Sequence, residues 1–209
     1  NGITGECLVL ITPDHERTMY THLGVSSQLN VEDINQGVIK DSEYLLVEGY
    51  LVTSDETKNV ASFSLDIATK HAVKKIITLS DPNVVKFFRD NVLELLNKSF
   101  DIIFCNKQEA FNISMSNNID DAIDFLKKYA HEIIITCGED GAYVTIGSEK
   151  FHEIPDSVKP VDLTGAGDMF LAAYIYAKVS DKSVIDRIKF ANTCSGNVIQ
   201  TYGAKLDKQ

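Results

Sequence analysis

The sequence predicts an α/β fold in which helices flank a largely parallel β-sheet. Short apolar runs alternate with stretches of helical periodicity along the chain, which is the pattern of consecutive βαβ units. Apolar residues fill successive positions in each run, as in strands that are covered on both faces. The chain has 209 residues, of which 44% are hydrophobic and 24% are charged, and this composition can bury one sizeable core.

Four apolar runs mark the predicted core strands, and stretches with helical spacing separate them. The strands are predicted at residues 44–48, 75–79, 101–105 and 132–136. Helices are predicted at residues 53–71, from Asp81-Pro82 to residue 96, and at residues 117–129. After the fourth strand, residues 141–146 and 150–154 indicate a short antiparallel pair joined by Gly147-Ser148. Two long helices are predicted at the end of the chain, at residues 165–179 and from 184 to about 202.

The first thirty residues have a different pattern, which predicts a β-hairpin. Residues 7–12 and 17–23 are its arms, and Pro13-Asp14 is the turn signal between them. The second arm mixes apolar and polar residues, so the sequence leaves two interpretations open. The hairpin is either an edge of the core sheet or a flap over a pocket.

Net charge restricts the partners that the protein can bind. Thirty acidic and twenty basic residues give a formal charge of −10, which argues against electrostatic binding to nucleic acid or to an anionic membrane. The apolar stretches are far shorter than the roughly 18 residues of a membrane span, and no signal peptide opens the sequence. We therefore predict a cytoplasmic protein without nucleic-acid or membrane partners. The first residue is Asn1, from which we expect that the natural chain begins earlier.

The cysteines and histidines do not indicate a metal site or a disulfide framework. The four cysteines are widely spaced without a Cys-x-x-Cys pair, and we predict that they are small core residues in a reducing compartment. The five histidines show no His-Glu-x-x-His or comparable ligand spacing.

The segment Asp162-Leu163-Thr164-Gly165-Ala166-Gly167-Asp168 carries the clearest chemical information. It lies where a loop gives way to an apolar-periodic helix, and its small residues leave backbone N–H groups uncovered. Such donors at a helix N-terminus bind anions without Lys or Arg. Asp168, in the first turn, would stay ionised and could accept a proton from a hydroxyl beside the anion. Alternatively, the glycines only permit a tight turn and Asp168 is an ordinary acid at a helix start.

The same segment, extended to Phe170, resembles the C-terminal signature of the ribokinase-like, or PfkB-type, carbohydrate and nucleoside kinases. Other segments match this family in the same order, so the resemblance covers essentially the whole chain. Asn106-Lys107-Gln108-Glu109 is similar to the family's Asn-x-x-Glu motif, and Thr136-Cys137-Gly138-Glu139-Asp140-Gly141 is similar to its nucleotide loop. Residues 190–204 resemble its closing helix, and residues 4–7 and 13–19 resemble part of the lid of adenosine-kinase-like members.

The resemblance implies a role for each matched residue, with ATP and Mg²⁺ as cofactors and a sugar or nucleoside as the substrate. The implied catalytic residues are the base Asp168 and the anion hole formed by Gly165, Ala166 and Gly167. The implied nucleotide-binding residues are Asn106, Thr136, Gly138, Gly141 and Asn192. Glu109 would hold Mg²⁺ through water, and Glu48 would approach the substrate together with Asp168. An optional K⁺ site would use Asp162, Thr164, Thr201 and Gly203.

The resemblance also implies a division of the chain. Residues 1–30 would be a partial lid hairpin, which offers a surface for a homodimer. Residues 31–209 would be an α/β nucleotide-binding kinase core that lacks its N-terminal part.

The matched residues also have interpretations that are independent of the family. Asn106 and Glu109 follow a predicted parallel strand, where open α/β sheets bind ligands, although Glu109 by itself is more often a surface acid. Gly138 and Gly141 let a nucleotide approach the backbone, but a hairpin turn needs similar glycines. Asn192 fits a contact with a ring edge or an ordinary helix surface. Glu48 alone is weak evidence for any function.

We therefore expect ATP-dependent phosphorylation of the primary hydroxyl of a sugar or nucleoside. Family members usually have roughly 300 residues, and their early substrate motif, Gly-Gly pair and first lid strands have no counterpart here. A truncated, noncatalytic nucleotide-binding module is the alternative. An NAD-type dinucleotide fold is disfavoured because the glycine loop at residues 165–168 lacks a third spaced glycine and precedes the last two helices. A P-loop NTPase is disfavoured because no Gly-x-x-x-x-Gly-Lys-[Ser/Thr] motif occurs.

Overall fold

A computed structural model of the protein describes residues 2–12 and 17–204. The chain divides into two compact units. The first contains Gly24–Ile135 and Thr145–Glu149, together with the N-terminus up to Ile3. The second contains, of the described residues, those within Thr4–Leu23, Thr136–Val144 and the chain from Lys150 to Ala204.

Strands and helices alternate through most of the chain. The strands are β1 (Glu6–Ile11), β2 (Arg17–His22), β3 (Tyr44–Glu48), β4 (Lys74–Thr78), β5 (Phe100–Asn106), β6 (Ala130–Thr136), β7 (Ala142–Ile146) and β8 (Glu149–Glu153). The α-helices are α1 (Gln36–Lys40), α2 (Asp55–Lys70), α3 (Pro82–Phe87), α4 (Arg89–Leu96), α5 (Lys107–Ser114), α6 (Ile119–Leu126), α7 (Ala166–Val179) and α8 (Val184–Val198). None of the helices within the described ranges has the length and apolar character needed to cross a membrane.

Six strands form one sheet in the order β3-β4-β5-β6-β7-β8. β3 and β4 are parallel in a register that runs from Tyr44↔Lys74 to Glu48↔Thr78, and β4 and β5 are parallel from Ile76↔Ile102 to Thr78↔Phe104. The predicted α/β fold with a largely parallel sheet is confirmed. Because β3, β4 and β5 run in the same direction, their carboxyl ends lie at one edge of the sheet, where α/β proteins bind ligands.

The core of the first unit consists of apolar strand residues packed against helices. In β5, the side chains from Ile102 to Cys105 are all at most 5% exposed. Helix α2 begins at Ser54, whose hydroxyl accepts a hydrogen bond from the N–H of Thr57 at 3.2 Å. This cap satisfies one of the first N–H groups of α2, and the helix then buries a stripe that includes Leu65 and Ala68.

The N-terminal hairpin is a separate two-stranded sheet. β1 and β2 are antiparallel, from Glu6↔His22 to Ile11↔Arg17, and they pair only with each other in the described part of the chain. The interpretation as an edge of the core sheet is therefore wrong, and the interpretation as a flap stays a prediction. The predicted turn at Pro13-Asp14 lies outside the described residues.

Two predicted elements end or break earlier than their apolar spacing indicates. The stretch after Pro82 is two helices, because Phe88 leaves the helical conformation (φ −119°, ψ 30°) between α3 and α4. The last helix ends at Val198 and not near residue 202. The carbonyl of Ile199 accepts hydrogen bonds from the N–H groups of Val161 (2.7 Å) and Asp162 (3.2 Å). The loop that precedes α7 therefore binds the end of α8.

Burial also departs from prediction in β3 and at the cysteines. Val47 is buried, whereas Leu46 is 48% exposed, because only one face of β3 contacts the core. On that face, Leu45 packs against the apolar cluster that contains Ile39 and Ala68. Among the cysteines, Cys105 is buried, Cys137 and Cys194 are partly buried, and Cys7 is exposed. The prediction of core cysteines is wrong for Cys7, since a two-stranded sheet covers neither of its own faces.

Candidate active site

The N-terminus of α7 is built by the glycine loop. Gly165 precedes the helix in the left-handed conformation (φ 82°) and has no capping side chain. Its carbonyl accepts the first helical hydrogen bond, from the N–H of Met169 at 2.9 Å, while the N–H of Ala166 donates to the carbonyl of Leu163 at 3.3 Å. The next two N–H groups, of Gly167 and Asp168, are first-turn donors without a helical acceptor. Both residues are exposed, so an anion can reach these donors.

Asp168 lies in the same turn as these donors. It is the acidic residue of the first turn of α7, and it is exposed. The positive end of the helix dipole lies at this turn and attracts negative charge. The turn therefore places an acceptor for a proton directly beside donors for an anion.

The buried side chain of Asp162 holds the start of the glycine loop in place. Its side chain is 1% exposed. Oδ1 accepts hydrogen bonds from the N–H of Thr164 (2.9 Å) and from Thr164 Oγ1 (2.6 Å), and Oδ2 accepts one from the N–H of Gly203 (2.9 Å). Asp162 therefore ties the start of the loop to the segment after α8.

The segment after α8 also fixes the shape of Gly165. A Cβ atom at Gly165 would lie 2.8 Å from the Cβ and 2.9 Å from the Cα of Ala204, so a larger residue has no room here in addition to the strain of φ 82°. Ser195 of α8 donates from Oγ to the carbonyl of Ala166 at 2.9 Å. Thr201 makes a local contact, from Oγ1 to the carbonyl of Val198 at 3.3 Å.

Residues 136–141 begin at the last residue of β6 and form a loop, which we term the nucleotide loop after the family motif that its sequence resembles. The N–H of Cys137 donates to the carbonyl of Gly141 (2.7 Å), and the N–H of Gly141 donates to the carbonyl of Gly138 (3.0 Å). Both glycines have positive φ, 60° at Gly138 and 87° at Gly141. A Cβ atom at Gly141 would overlap the carbonyl oxygen of Glu153, which explains why the turn requires glycine there.

Asn192 and the nucleotide loop both contact the carbonyl group of Glu153. Asn192 Nδ2 donates to the carbonyl of Glu153 at 3.2 Å. Gly141 packs against this carbonyl from the loop. The second unit therefore brings Asn192 and the nucleotide loop together at the end of β8.

Asn106 and Glu109 form a reciprocal cap at the start of α5 in the first unit. Asn106 Oδ1 accepts from the N–H of Glu109 (2.9 Å), and Glu109 Oε2 accepts from the N–H of Asn106 (2.9 Å). Asn106 Nδ2 also donates to Glu109 Oε1 at 2.7 Å. The Asn-x-x-Glu spacing is thus a capping box, a structural reason for the motif that the sequence analysis did not identify.

Glu48 lies at the same edge of the sheet as this capping box. It is the exposed last residue of β3, and Gly49 follows it. The N–H of Gly49 donates to Ser80 Oγ at 2.8 Å, and a Cβ atom at Gly49 would lie 2.5 Å from the carbonyl oxygen of Leu79. Because β3 and β5 are parallel within one sheet, Glu48 and Asn106 both lie at its carboxyl edge.

Glu109 is a buried carboxyl group with an altered acidity. Burial raises the pKa of Glu109 from 4.5 to about 7, the hydrogen bond from the backbone of Asn106 lowers it, and the negative charge of Asp81 raises it. The side chain is 4% exposed. Both of its carboxylate oxygens already accept hydrogen bonds from Asn106, and direct ligation of a metal ion would compete with these bonds. Across residues 2–12 and 17–204, no group of three or more His, Cys, Asp or Glu side chains is placed to hold a metal ion.

Replacement of Glu109 by glutamine is expected to change how stability depends on pH. The folded protein binds the Glu109 proton more tightly than the unfolded chain does, so this group favours folding below pH 4.5 and the benefit is lost as pH rises to about 7. The shift corresponds to about 3 kcal/mol. Urea unfolding between pH 4.5 and 7.5 should show the wild type losing up to this amount relative to Glu109→Gln.

Glu56→Gln is the control for this measurement, because Glu56 is an exposed acid in the first turn of α2. Its stability profile should follow that of the wild type. Parallel profiles for Glu109→Gln and the wild type would show that burial does not raise the pKa of the Glu109 carboxyl group.

A surface depression in the first unit lies away from the predicted site residues. It has a volume of about 700 Å³ and lies between residues 114–117 and the second half of α6. None of its lining residues belongs to the glycine loop, the nucleotide loop or the Asn106–Glu109 cap.

Three contacts of the site escaped the sequence analysis. Ser195, Ala204 and the carbonyl of Glu153 each touch a predicted site residue. Ser195 and Ala204 lie within residues 190–204, which the family resemblance covers, but a serine or an alanine gives no chemical signal by itself. A backbone carbonyl gives no sequence signal at all.

Known proteins share the sequence pattern and the fold of this chain. A family model described as pfkB family carbohydrate kinase matches residues 1–209. A ribokinase from Staphylococcus aureus (strain COL) is 27% identical over 210 residues, which cover 97% of this chain and 66% of the relative.

Solved structures with the same fold include an adenosine kinase from Sinorhizobium meliloti, with a TM-score of 0.92 and 31% identity over 97% of this chain and 63% of that one. A putative ribokinase II from E. coli, solved with ATP and Mg²⁺, has a TM-score of 0.85 at 20% identity, covering 95% of this chain and 66% of that one. The chain spans less than two thirds of the length of these relatives.

Proposed function

The chain belongs to the pfkB family of carbohydrate kinases, and on this premise we propose that it transfers a phosphoryl group from ATP to the primary hydroxyl of a sugar or nucleoside. The fold is ribokinase-like α/β. The observation that carries the proposal is the first turn of α7, where Asp168 is exposed beside the exposed donor N–H of Gly167. Phosphoryl transfer to an alcohol requires a base and an anion site at neighbouring positions.

In this mechanism, Asp168 takes the proton of the acceptor hydroxyl. The hydroxyl oxygen forms its bond to phosphorus as the bond between phosphorus and the leaving ADP breaks. The loop Gly165-Ala166-Gly167 supplies N–H groups that stabilise the charge on the transferred group, an electrostatic effect that usually dominates such catalysis. The N–H of Ala166 already donates to Leu163, so the N–H groups of Gly167 and Asp168 are the donors best placed for this task.

Asn106 and Glu109 are the proposed Mg²⁺ contacts. Magnesium keeps several of its waters in proteins, and the buried Glu109 carboxylate with its hydrogen-bonded Asn106 partner is suited to orient such waters. When bound, the metal ion would supply positive charge that offsets the negative charge of the phosphates. Thr136, Gly138 and Gly141 of the nucleotide loop and Asn192 are the proposed contacts of the nucleotide.

A K⁺ site at Asp162, the Thr164 carbonyl and the carbonyls near Thr201 and Gly203 is a further part of the proposal. The Asp162 carboxylate already accepts three hydrogen bonds. A cation would have to share these oxygens with the N–H groups of Thr164 and Gly203.

The proposal also includes the division of the chain at residue 30. Residues 1–30 would act as a partial lid, and residues 31–209 as the kinase core, with Glu48 near the substrate. The hairpin exposes apolar side chains on both faces, including Leu8 at 61% and Met19 at 43%, and these are suited to cover a substrate or a second copy of the chain. A cytoplasmic location and the absence of nucleic-acid partners complete the proposal.

The test is a phosphorylation assay of the full natural chain with ATP and Mg²⁺. Ribose, adenosine and fructose are offered in turn, with and without K⁺, and sedimentation under the same conditions measures dimer formation. Transfer to at least one of these alcohols is the expected result. Nucleotide binding without transfer would favour a noncatalytic module, and absence of both would contradict the proposal.

A further inference from the structure

His152 of β8 contacts the nucleotide loop with its side chain. Its Nε2 lies 2.7 Å from the carbonyl oxygen of Asp140. A carbonyl oxygen can only accept a hydrogen bond, so the contact requires the proton on Nε2. The imidazole therefore donates to the loop one residue before Gly141.

The imidazole of His152 is held in orientation by Tyr143 of β7. The two rings are stacked, with centroids 4.0 Å apart and an angle of 3° between their planes. Lys150 places its ammonium group 4.9 Å from the centroid of the Tyr143 ring. Because stacking restricts rotation of the imidazole, little side-chain entropy is lost when Nε2 makes its hydrogen bond.

The nucleotide loop is a segment that needs such a contact. Residues 138–140 are exposed, and a Cβ atom at Gly138 would have no neighbour within 4 Å. Two glycines with positive φ give this segment more alternative conformations than other residues would. The contact with Glu153 fixes Gly141, and the His152 contact fixes the preceding residue.

We propose that His152 is a positioning residue, which holds the nucleotide loop in the conformation that receives ATP. This inference rests on the proposed function, since it assumes that the loop binds a nucleotide. The physical basis is preorganisation: a loop that is already ordered loses less entropy on binding. One hydrogen bond of this kind corresponds to about five- to tenfold in affinity.

The test compares His152→Leu with His152→Gln. Leucine keeps bulk without a donor, whereas glutamine keeps a donor N–H. Isothermal titration with Mg²⁺-ATP should show about five- to tenfold weaker binding for His152→Leu and a smaller loss for His152→Gln. Hydrogen exchange at residues 138–141 should become faster in His152→Leu alone. In the assay of the full chain, KM for ATP should rise while kcat and the KM for the alcohol stay within about twofold.

Glu149→Gln is the matched control, because Glu149 is an exposed residue of the same strand, three positions before His152. It should bind Mg²⁺-ATP like the wild type. Equal affinity of His152→Leu and the wild type, or equal losses in His152→Leu and Glu149→Gln, would overturn this inference and leave the proposed function intact. A wild type that does not bind Mg²⁺-ATP would overturn both.

Discussion

Replacement of Asp168 by asparagine is expected to lower kcat by about a hundredfold to ten-thousandfold in the full natural chain. Asparagine has nearly the same shape but cannot take up the hydroxyl proton. Asp168 is exposed and its N–H group is a first-turn donor, so neither the fold nor the anion site should change. The affinity for Mg²⁺-ATP, measured by titration, should stay within about twofold of the wild type.

Asp186→Asn is the control for this prediction. Asp186 occupies the same third position in α8 that Asp168 occupies in α7, and its carboxylate accepts a hydrogen bond from Ser183 Oγ at 2.7 Å. The Asp186→Asn variant should retain wild-type turnover. Near-normal turnover in Asp168→Asn would contradict the role of Asp168 as the base.

Replacement of Asp162 by alanine should lower the free energy of unfolding by about 3 kcal/mol. The N–H of Thr164, the hydroxyl of Thr164 and the N–H of Gly203 would lose their acceptor in a site that is 1% exposed. For a chain of 209 residues, this loss corresponds to a decrease in Tm of about 6–12 °C. Differential scanning calorimetry measures the effect directly.

Asp162→Asn should lower the free energy of unfolding less than Asp162→Ala does, because its amide oxygen still accepts hydrogen bonds. Its NH₂ group replaces the second acceptor and faces a donor, so some loss remains. Asp156→Ala is the surface control, since Asp156 is an exposed acid in the same loop. It should unfold like the wild type. A Tm for Asp162→Ala within about 1 °C of the wild type would show that the three hydrogen bonds do not hold the loop.

Most of the fold could be predicted from the sequence, because strand and helix patterns are local. All four predicted core strands occur, with boundaries within two residues. The sequence could not predict the one-sided burial of β3, because burial depends on which elements cover a strand. It also could not predict the break at Phe88, whose apolar spacing continues through the bend.

In the candidate site, too, only the local features could be predicted from the sequence. The sequence by itself determined the residue types and their order: a glycine loop before a helix, an Asn-x-x-Glu motif after a strand, and an acid in the first turn of α7. These features depend on neighbours within four residues, where backbone geometry fixes the spacing.

Only the tertiary structure decided which groups these residues contact. Asp162 binds the N–H of Gly203, which is 41 positions away, and Asn192 binds the carbonyl of Glu153, which is 39 positions away. The tertiary structure also buries Glu109, which raises its pKa to about 7. Hydrogen bonds between distant segments and the loss of water around a carboxyl group are properties of the packed chain, and no local pattern encodes them.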